Sequence, residues 1–248
     1  MTGPATATVT LLFTDVEGST RLLRQLRGAY GEVLAEHQRL LRESLERHGG
    51  QEVDTQGDSF FVAFTRATDA VLAAVDAQRA LATHVWPEGA ELRVRMGLHT
   101  GSAMVRDNRF VGMAVHRAAR ICTAGHGGQI LLSETTRALL GNQLPEGVSV
   151  VDLGEQNLKD IQHERVLQLS FGDGPKEFPP LKTQAKKSSS DALAERIERH
   201  VEEMVEKSLT GSLSDKAPGL RWTIIGLAEL LLVVVTIVAI IWLVRHVL

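Results

Sequence analysis

Apolar positions along the chain fall into short β-branched runs bounded by turn residues and longer stretches with a period near 3.6. Thr8 to Phe13 reads as a strand, and Asp15-Val16-Glu17-Gly18-Ser19-Thr20 as a tight turn into a helix with Ser19 as N-cap. That helix is expected to run to about His48, because Leu22, Leu26, Val33, Leu34, Leu41 and Leu45 mark one apolar face and Gly49-Gly50 offer a C-cap. Two short strands follow, Gln51 to Asp54 and Ser59 to Phe64, separated by a turn at Gly57. A second helix is predicted over roughly Ala67 to His84, on Val71, Leu72, Val75 and Leu81, and then a strand over Leu92 to Thr100. A helix near Val115 to Thr123 and strands at Gln129 to Leu132, Val148 to Leu153 and Arg165 to Leu169 complete the pattern. The order β-α-β-β-α-β with later additions predicts an α+β sandwich on a mainly antiparallel sheet of ferredoxin-like type.

The rhythm changes after this domain, whose expected extent is residues 1–171. Gly172 to Ser190 carries Gly, Pro, Lys and a Ser triplet without periodicity and reads as a flexible linker. From Asp191 to Leu209 a helical stripe returns in Leu193, Ile197, Val201, Met204, Val205 and Leu209, so 191–210 is an amphipathic helix. It pairs with its copy, lies on a membrane, or packs on the domain; its few heptads do not choose among these. A juxtamembrane stretch, 211–221, leads to a transmembrane helix at 222–245. Within it Ile224 to Val244 holds one charge, Glu229, and is long enough for a bilayer core of about 30 Å at 1.5 Å per residue. Trp222 and Trp242 suit the two headgroup zones, and Arg221 and Arg245 flank the run.

Composition narrows the setting. A formal net charge of -3 and one cysteine, Cys122, exclude an internal disulfide and give no electrostatic reason to bind nucleic acid. Met1 to Thr8 is short and polar, without the order of a signal peptide, so the domain is expected in the cytoplasm with its C-terminal helix in the cell membrane.

Asp15 follows one strand and Asp58 opens another. In a β-α-β-β unit the first and third strands can lie side by side, so two carboxylates at adjacent strand ends make an oxygen site suited to Mg²⁺ or Mn²⁺. The backbone amides of Gly18, Ser19 and Thr20, at a helix start, favour phosphate. An aspartate before a helix is equally a cap or turn residue, and residue type alone leaves both readings open.

Four ordered segments resemble the motifs of bacterial class III adenylate/guanylate cyclase catalytic domains: Phe13 to Thr20, Thr55 to Phe64, Arg95 to Gly101, and Val115-His116-Arg117-Ala118-Ala119-Arg120. The resemblance spans about Thr8 to Leu169. It implies a homodimer with sites shared between subunits, converting ATP, or GTP, to a 3′,5′-cyclic nucleotide and pyrophosphate with two divalent ions per site. By that resemblance Asp15, Asp58 and the Val16 carbonyl bind the metals, Arg120 stabilises the transition state, and Lys159 in Asn157-Leu158-Lys159-Asp160 reaches the terminal phosphates or is a solvated surface lysine.

Three positions depart from the family pattern. The adenine-reading lysine and aspartate are Asp54 and Arg109 here, with their charges exchanged, and the ribose-orienting asparagine is His116. Asp54 and Arg109 either read the purine in inverted form, pair with one another, or do not read it. His116 either donates to the ribose or packs on its helix. Cys122 and His99 read as a small apolar filler and a strand residue. The expected function is therefore an adenylate cyclase at the membrane. The alternatives are a cyclase-like nucleotide-binding or dimerising regulatory module, and a membrane adaptor working through the 191–210 helix.

Overall fold

The computed structural model describes residues 5–106, 109–172 and 177–183. Their strands, β1 (Ala5–Val16), β2 (Gln51–Gln56), β3 (Ser59–Phe64), β4 (Val94–Arg106), β5 (Arg109–Val111), β6 (Ile130–Ser133), β7 (Val148–Leu158) and β8 (Ile161–Phe171), form one sheet. Its order is β2-β3-β1-β4-β6-β8-β7, with β5 paired to β4. The first four strands run 2-3-1-4, as a ferredoxin-like unit requires, and the expected antiparallel character holds except where β4 and β6 pair in parallel.

Helices α1 (Ser19–Leu26), α2 (Tyr30–Arg47), α3 (Ala67–Thr83) and α5 (Glu134–Leu140) contribute to the larger core, and α4 (Met113–Ala124) to a smaller one. Alternation along the strands feeds both: Ile130 and Leu132 join the larger core, while Leu131, between them, meets Ile121 and Ala124 of α4. Helix α4 presses on β4 so closely that a Cβ on Gly97 would come within 2.2 Å of the Cys122 amide nitrogen. Cys122 is a fully buried thiol, pushed up to about 12 by burial, and fits the filler reading.

Local chemistry overrides periodicity in several places. The helix expected from the first turn to His48 is two helices, broken by a short 3-10 turn at Arg27–Ala29 where Arg27 adopts φ 47° beside Gly28. The N-cap is Gly18 at φ 71°, not Ser19, which begins the helix. Short α5 went unpredicted, although Ser133 caps it by accepting from the Thr136 amide at 3.3 Å. Three-residue β5 was also missed, as it is too short to show a period.

Residues 177–183 fall inside the segment expected to be linker, yet they lie against the domain: Leu181 packs on the α4 cluster and the Lys182 amide donates to the Ala124 carbonyl at 2.9 Å. Among the described residues no helix is long and apolar enough to cross a membrane. The expected helix at 191–210, the stretch 211–221 and the span 222–245 lie outside the described residues.

Candidate active site

Sheet register brings the two aspartates to one place. β1 pairs with β3 through Phe13↔Phe61 and Thr14↔Phe60, so Asp15 at the end of β1 meets the β2–β3 turn, where Asp58 precedes Ser59. The Ser59 hydroxyl donates to Asp15 Oδ1 at 3.0 Å. Both aspartates are buried, at 5% and 6% exposure, in a place where an uncompensated carboxylate is costly.

The counter-charge comes from β4. Arg95 donates to Asp15 Oδ2 through Nη2 at 2.6 Å and Nε at 2.9 Å, and its Nη1 donates to the Thr123 carbonyl of α4 at 3.3 Å. Burial pushes the Asp15 carboxyl above its ordinary value; Arg95 opposes this and the charge of Asp58 adds to it. Behind the pair, α2 buries His37 completely, edge-on to Phe60 with ring centroids 6.1 Å apart. Burial pulls the His37 imidazole down to about 4, so it is neutral at physiological pH.

Two buried carboxylates brought together by the sheet are hard oxygen donors, which suit Mg²⁺ or Mn²⁺, and the Val16 carbonyl follows Asp15 directly in the chain. Among the described residues no three His, Cys, Asp or Glu side chains gather as a ready metal cage. An ion that keeps waters and takes substrate phosphates as ligands does not require one. Next to this turn, Gly18 opens α1, and Ser19 and Thr20 supply its first amides.

A second cluster is cationic. His116 and Arg120 stand four residues apart on α4 and so share a face. The Arg120 side chain is 5% exposed, and its Nη2 pairs with Asp160 Oδ2 at 3.1 Å. Asp160 lies in the β7–β8 turn beside half-buried Lys159, with φ 60°, a left-handed conformation uncommon outside glycine. One chain thus groups Arg120 with the Lys159 turn, and Asp15 with Asp58.

Asp54 and Arg109 stand in different parts of the sheet. Asp54 pairs across to Phe61, in line with Phe13 and Gly97, whereas Arg109 pairs with Arg106 at the far end of β4. Strand register does not place them opposite one another. His99 is a buried strand residue whose Nδ1 bonds the Ser133 hydroxyl at 2.8 Å.

Sequence reasoning missed several participants. Arg95 lay inside a quoted motif, and its position in the apolar run Val94 to Leu98 was the available signal for a buried cation needing a partner. Ser59, His37 and Asp160 carried no comparable signal. Glu17 was passed over as a turn residue. Its carboxyl is pushed up by burial, but hydrogen bonds from Lys182 and the Gly127 amide, with nearby positive charge, hold it below the usual range.

This sheet, with carboxylates at its centre and cations on α4 and the β7–β8 turn, is a nucleotide cyclase fold. A sequence model described as the adenylate and guanylate cyclase catalytic domain matches residues 2–170, and the chain belongs to that family. An uncharacterized protein of Mycobacterium tuberculosis is 42% identical over 193 residues, covering 77% of this chain and 65% of its own length. A receptor-type adenylate cyclase B of Leishmania donovani is 30% identical over 195 residues, 62% of this chain and 15% of its own. In structure, an adenylate cyclase of Trypanosoma brucei in its monomeric state superposes with a TM-score of 0.67 at 25% identity, covering 72% of this chain and 94% of that one. The chain therefore spans about two thirds of the length of its mycobacterial relative and a small part of the receptor-type enzyme.

Proposed function

We propose that this chain is an adenylate cyclase converting ATP to 3′,5′-cyclic AMP and pyrophosphate at sites shared between two copies. The observation that carries the reading is the adjacent burial of Asp15 and Asp58 at the ends of neighbouring strands, two like charges that share one buried guanidinium, Arg95. In the reaction the ribose 3′-oxygen bonds to the α-phosphorus, the bond from that phosphorus to the β-phosphate bridging oxygen breaks, and the 3′-hydroxyl proton leaves to solvent. Bound Mg²⁺ or Mn²⁺ supplies Lewis acidity toward the attacking and leaving oxygens. Asp15, Asp58 and the Val16 carbonyl would hold the ions. The amides at the start of α1 draw the phosphates toward the turn. Arg120, from the other copy, carries a fixed charge suited to the α-phosphate, and Lys159 to the terminal phosphates. His116 donates to the ribose from the Arg120 face of α4. Asp54 accepts from the adenine amino group and Arg109 donates to a ring nitrogen.

We further propose that 222–245 anchors the chain in the cell membrane with the catalytic domain in the cytoplasm, on the apolar run Ile224 to Val244. A regulatory module without turnover is the second reading, favoured by the Arg120–Asp160 pair and the exchanged charges at positions 54 and 109. Incubating the full-length chain with ATP or GTP and Mg²⁺ or Mn²⁺, with mass spectrometry of the product, separates the two. Cyclic AMP is expected from ATP. No cyclic product under any combination overturns the cyclase reading in favour of a module without turnover, and cyclic GMP in excess reverses the base assignment.

A further inference from the structure

The chain stays attached to the domain beyond the last strand. Leu181 packs against the cluster of Ile121, Ala124, Leu131, Leu158, Ile161 and Val166. The Lys182 amide donates to the Ala124 carbonyl at 2.9 Å, satisfying an acceptor that α4 leaves open at its end. His126 Nε2 donates to the Pro180 carbonyl at 3.1 Å.

These contacts bring the Lys182 ammonium onto Glu17 Oε1. Glu17 Oε2 accepts from the Gly127 amide at 3.1 Å, and His126 Nδ1 lies 3.8 Å from Oε1. The Glu17 amide donates to the Arg93 carbonyl at 2.8 Å. Close approach here depends on glycine: a Cβ on Gly127 would fall 2.5 Å from Arg93 Cβ and 3.0 Å from Glu17 Oε2. Glu17 directly follows Val16 and stands two residues after Asp15, so whatever holds Glu17 sets the path of the metal-binding turn.

We propose that Lys182 is a positioning residue for that turn, acting through Glu17, and that 177–183 is a working part of the catalytic domain. The proposal rests on the cyclase reading above. The side chains of the pair are 26% and 34% exposed, so the ion pair adds little to global stability. Its consequence is local, because small displacements of a catalytic group cost far more in rate than in folding. Leu181 and the two backbone contacts supply the adhesion, and Lys182 supplies the aim.

The test uses the full-length chain carrying Lys182→Met, Glu17→Gln, both together, or Lys182→Arg. Hydrogen exchange across Asp15 to Thr20 and the Mn²⁺ concentration for half-maximal cyclisation are the two readouts. Lys182→Met is expected to speed exchange in the turn and raise the Mn²⁺ requirement by about tenfold, the low end for partners that orient a ligating residue. kcat at saturating Mn²⁺ changes less, and exchange in β6 and β8 stays as in the parent. Glu17→Gln does the same, the double variant is no worse than either, and Lys182→Arg restores both readouts. Unchanged exchange in the turn, or faster exchange with an unchanged Mn²⁺ requirement, reduces the contact to packing and overturns the proposal. If the parent makes no cyclic nucleotide, the cyclase reading fails separately. Slowing of turn exchange by Mn²⁺, present in the parent and lost in Lys182→Met, then decides the positioning role, and its absence from the parent overturns it.

Discussion

Asp15 and Asp58 reach their site from the middle of the sheet, whereas Arg120 and Lys159 reach theirs from a helix and from a turn beside edge strand β7. Asp15 is fixed by ladder register, by the Ser59 hydroxyl and by the Arg95 fork, and Asp58 is buried in the turn that leads into β3. Arg120 pairs with Asp160, a turn residue that is itself 67% exposed and left-handed. The half that would hold the metals is therefore built into the fold. On the proposed reading the phosphate half includes an ion pair to an exposed carboxylate, which an incoming phosphate can replace. Such a division suits a site assembled from two copies, where one half is complete before the encounter and the other is redirected by it.

Removing a carboxylate tests the first half. Asp58→Ala is expected to lower cyclisation by at least about a hundredfold, since it deletes a charged ligand. Asp15→Ala does the same and also leaves Arg95 buried without its carboxylate, at a cost of about 3 to 5 kcal/mol in a denaturant melt. A larger loss of stability is therefore expected for Asp15→Ala than for Asp58→Ala. Equal melting of the two variants breaks the account of Arg95 as a buried counter-ion.

Arg120→Ala removes the charge from the second half. A drop of about 10² to 10³ in kcat is expected, with substrate affinity measured by nucleotide titration changing less. A change confined to KM would assign Arg120 to ground-state binding and sharpen the comparison differently.

The metal half also rests on His37, which is neutral when folded. Its folded value of about 4 lies below the ordinary 6.5, so the unfolded chain binds the extra proton as pH falls through that window. Stability from this residue is full above about pH 6.5 and declines toward pH 4, by on the order of 1 to 3 kcal/mol. In urea melts across that range the parent should lose stability toward pH 4 more steeply than His37→Leu; parallel curves contradict the neutral, buried assignment.

Asp160→Asn should have the smallest effect. It removes the carboxylate charge from the half-exposed pair with Arg120, and kcat/KM is expected to rise by less than about tenfold. A fall instead would mean that Asp160 aims Arg120 rather than restrains it.

The long helices were legible because burial on one face writes a period into the sequence, as in Leu22 to Leu45, and strands such as Ser59 to Phe64 because a short apolar run is bounded by turn residues. Short α5 and β5 were not, since a turn or two of helix and three strand residues carry no period. The break at Arg27 depends on one backbone angle. The aspartate pair was legible from topology. The Arg95–Asp15 and Lys182–Glu17 pairs were not, because they join residues 80 and 165 positions apart through folded geometry. The linker reading of 177–183 followed composition correctly and still missed the docking, which depends on one leucine and backbone groups that composition cannot reveal.

The most direct test of a site divided between two copies is complementation. Asp58→Ala and Arg120→Ala full-length chains, each inactive alone, are mixed, and subunit exchange is verified by an independent label. One of the two sites in each mixed dimer then holds both aspartates from one chain and Arg120 from the other, so partial cyclisation should return. A mixture that exchanges subunits and stays inactive would place the whole site within one chain and contradict the account.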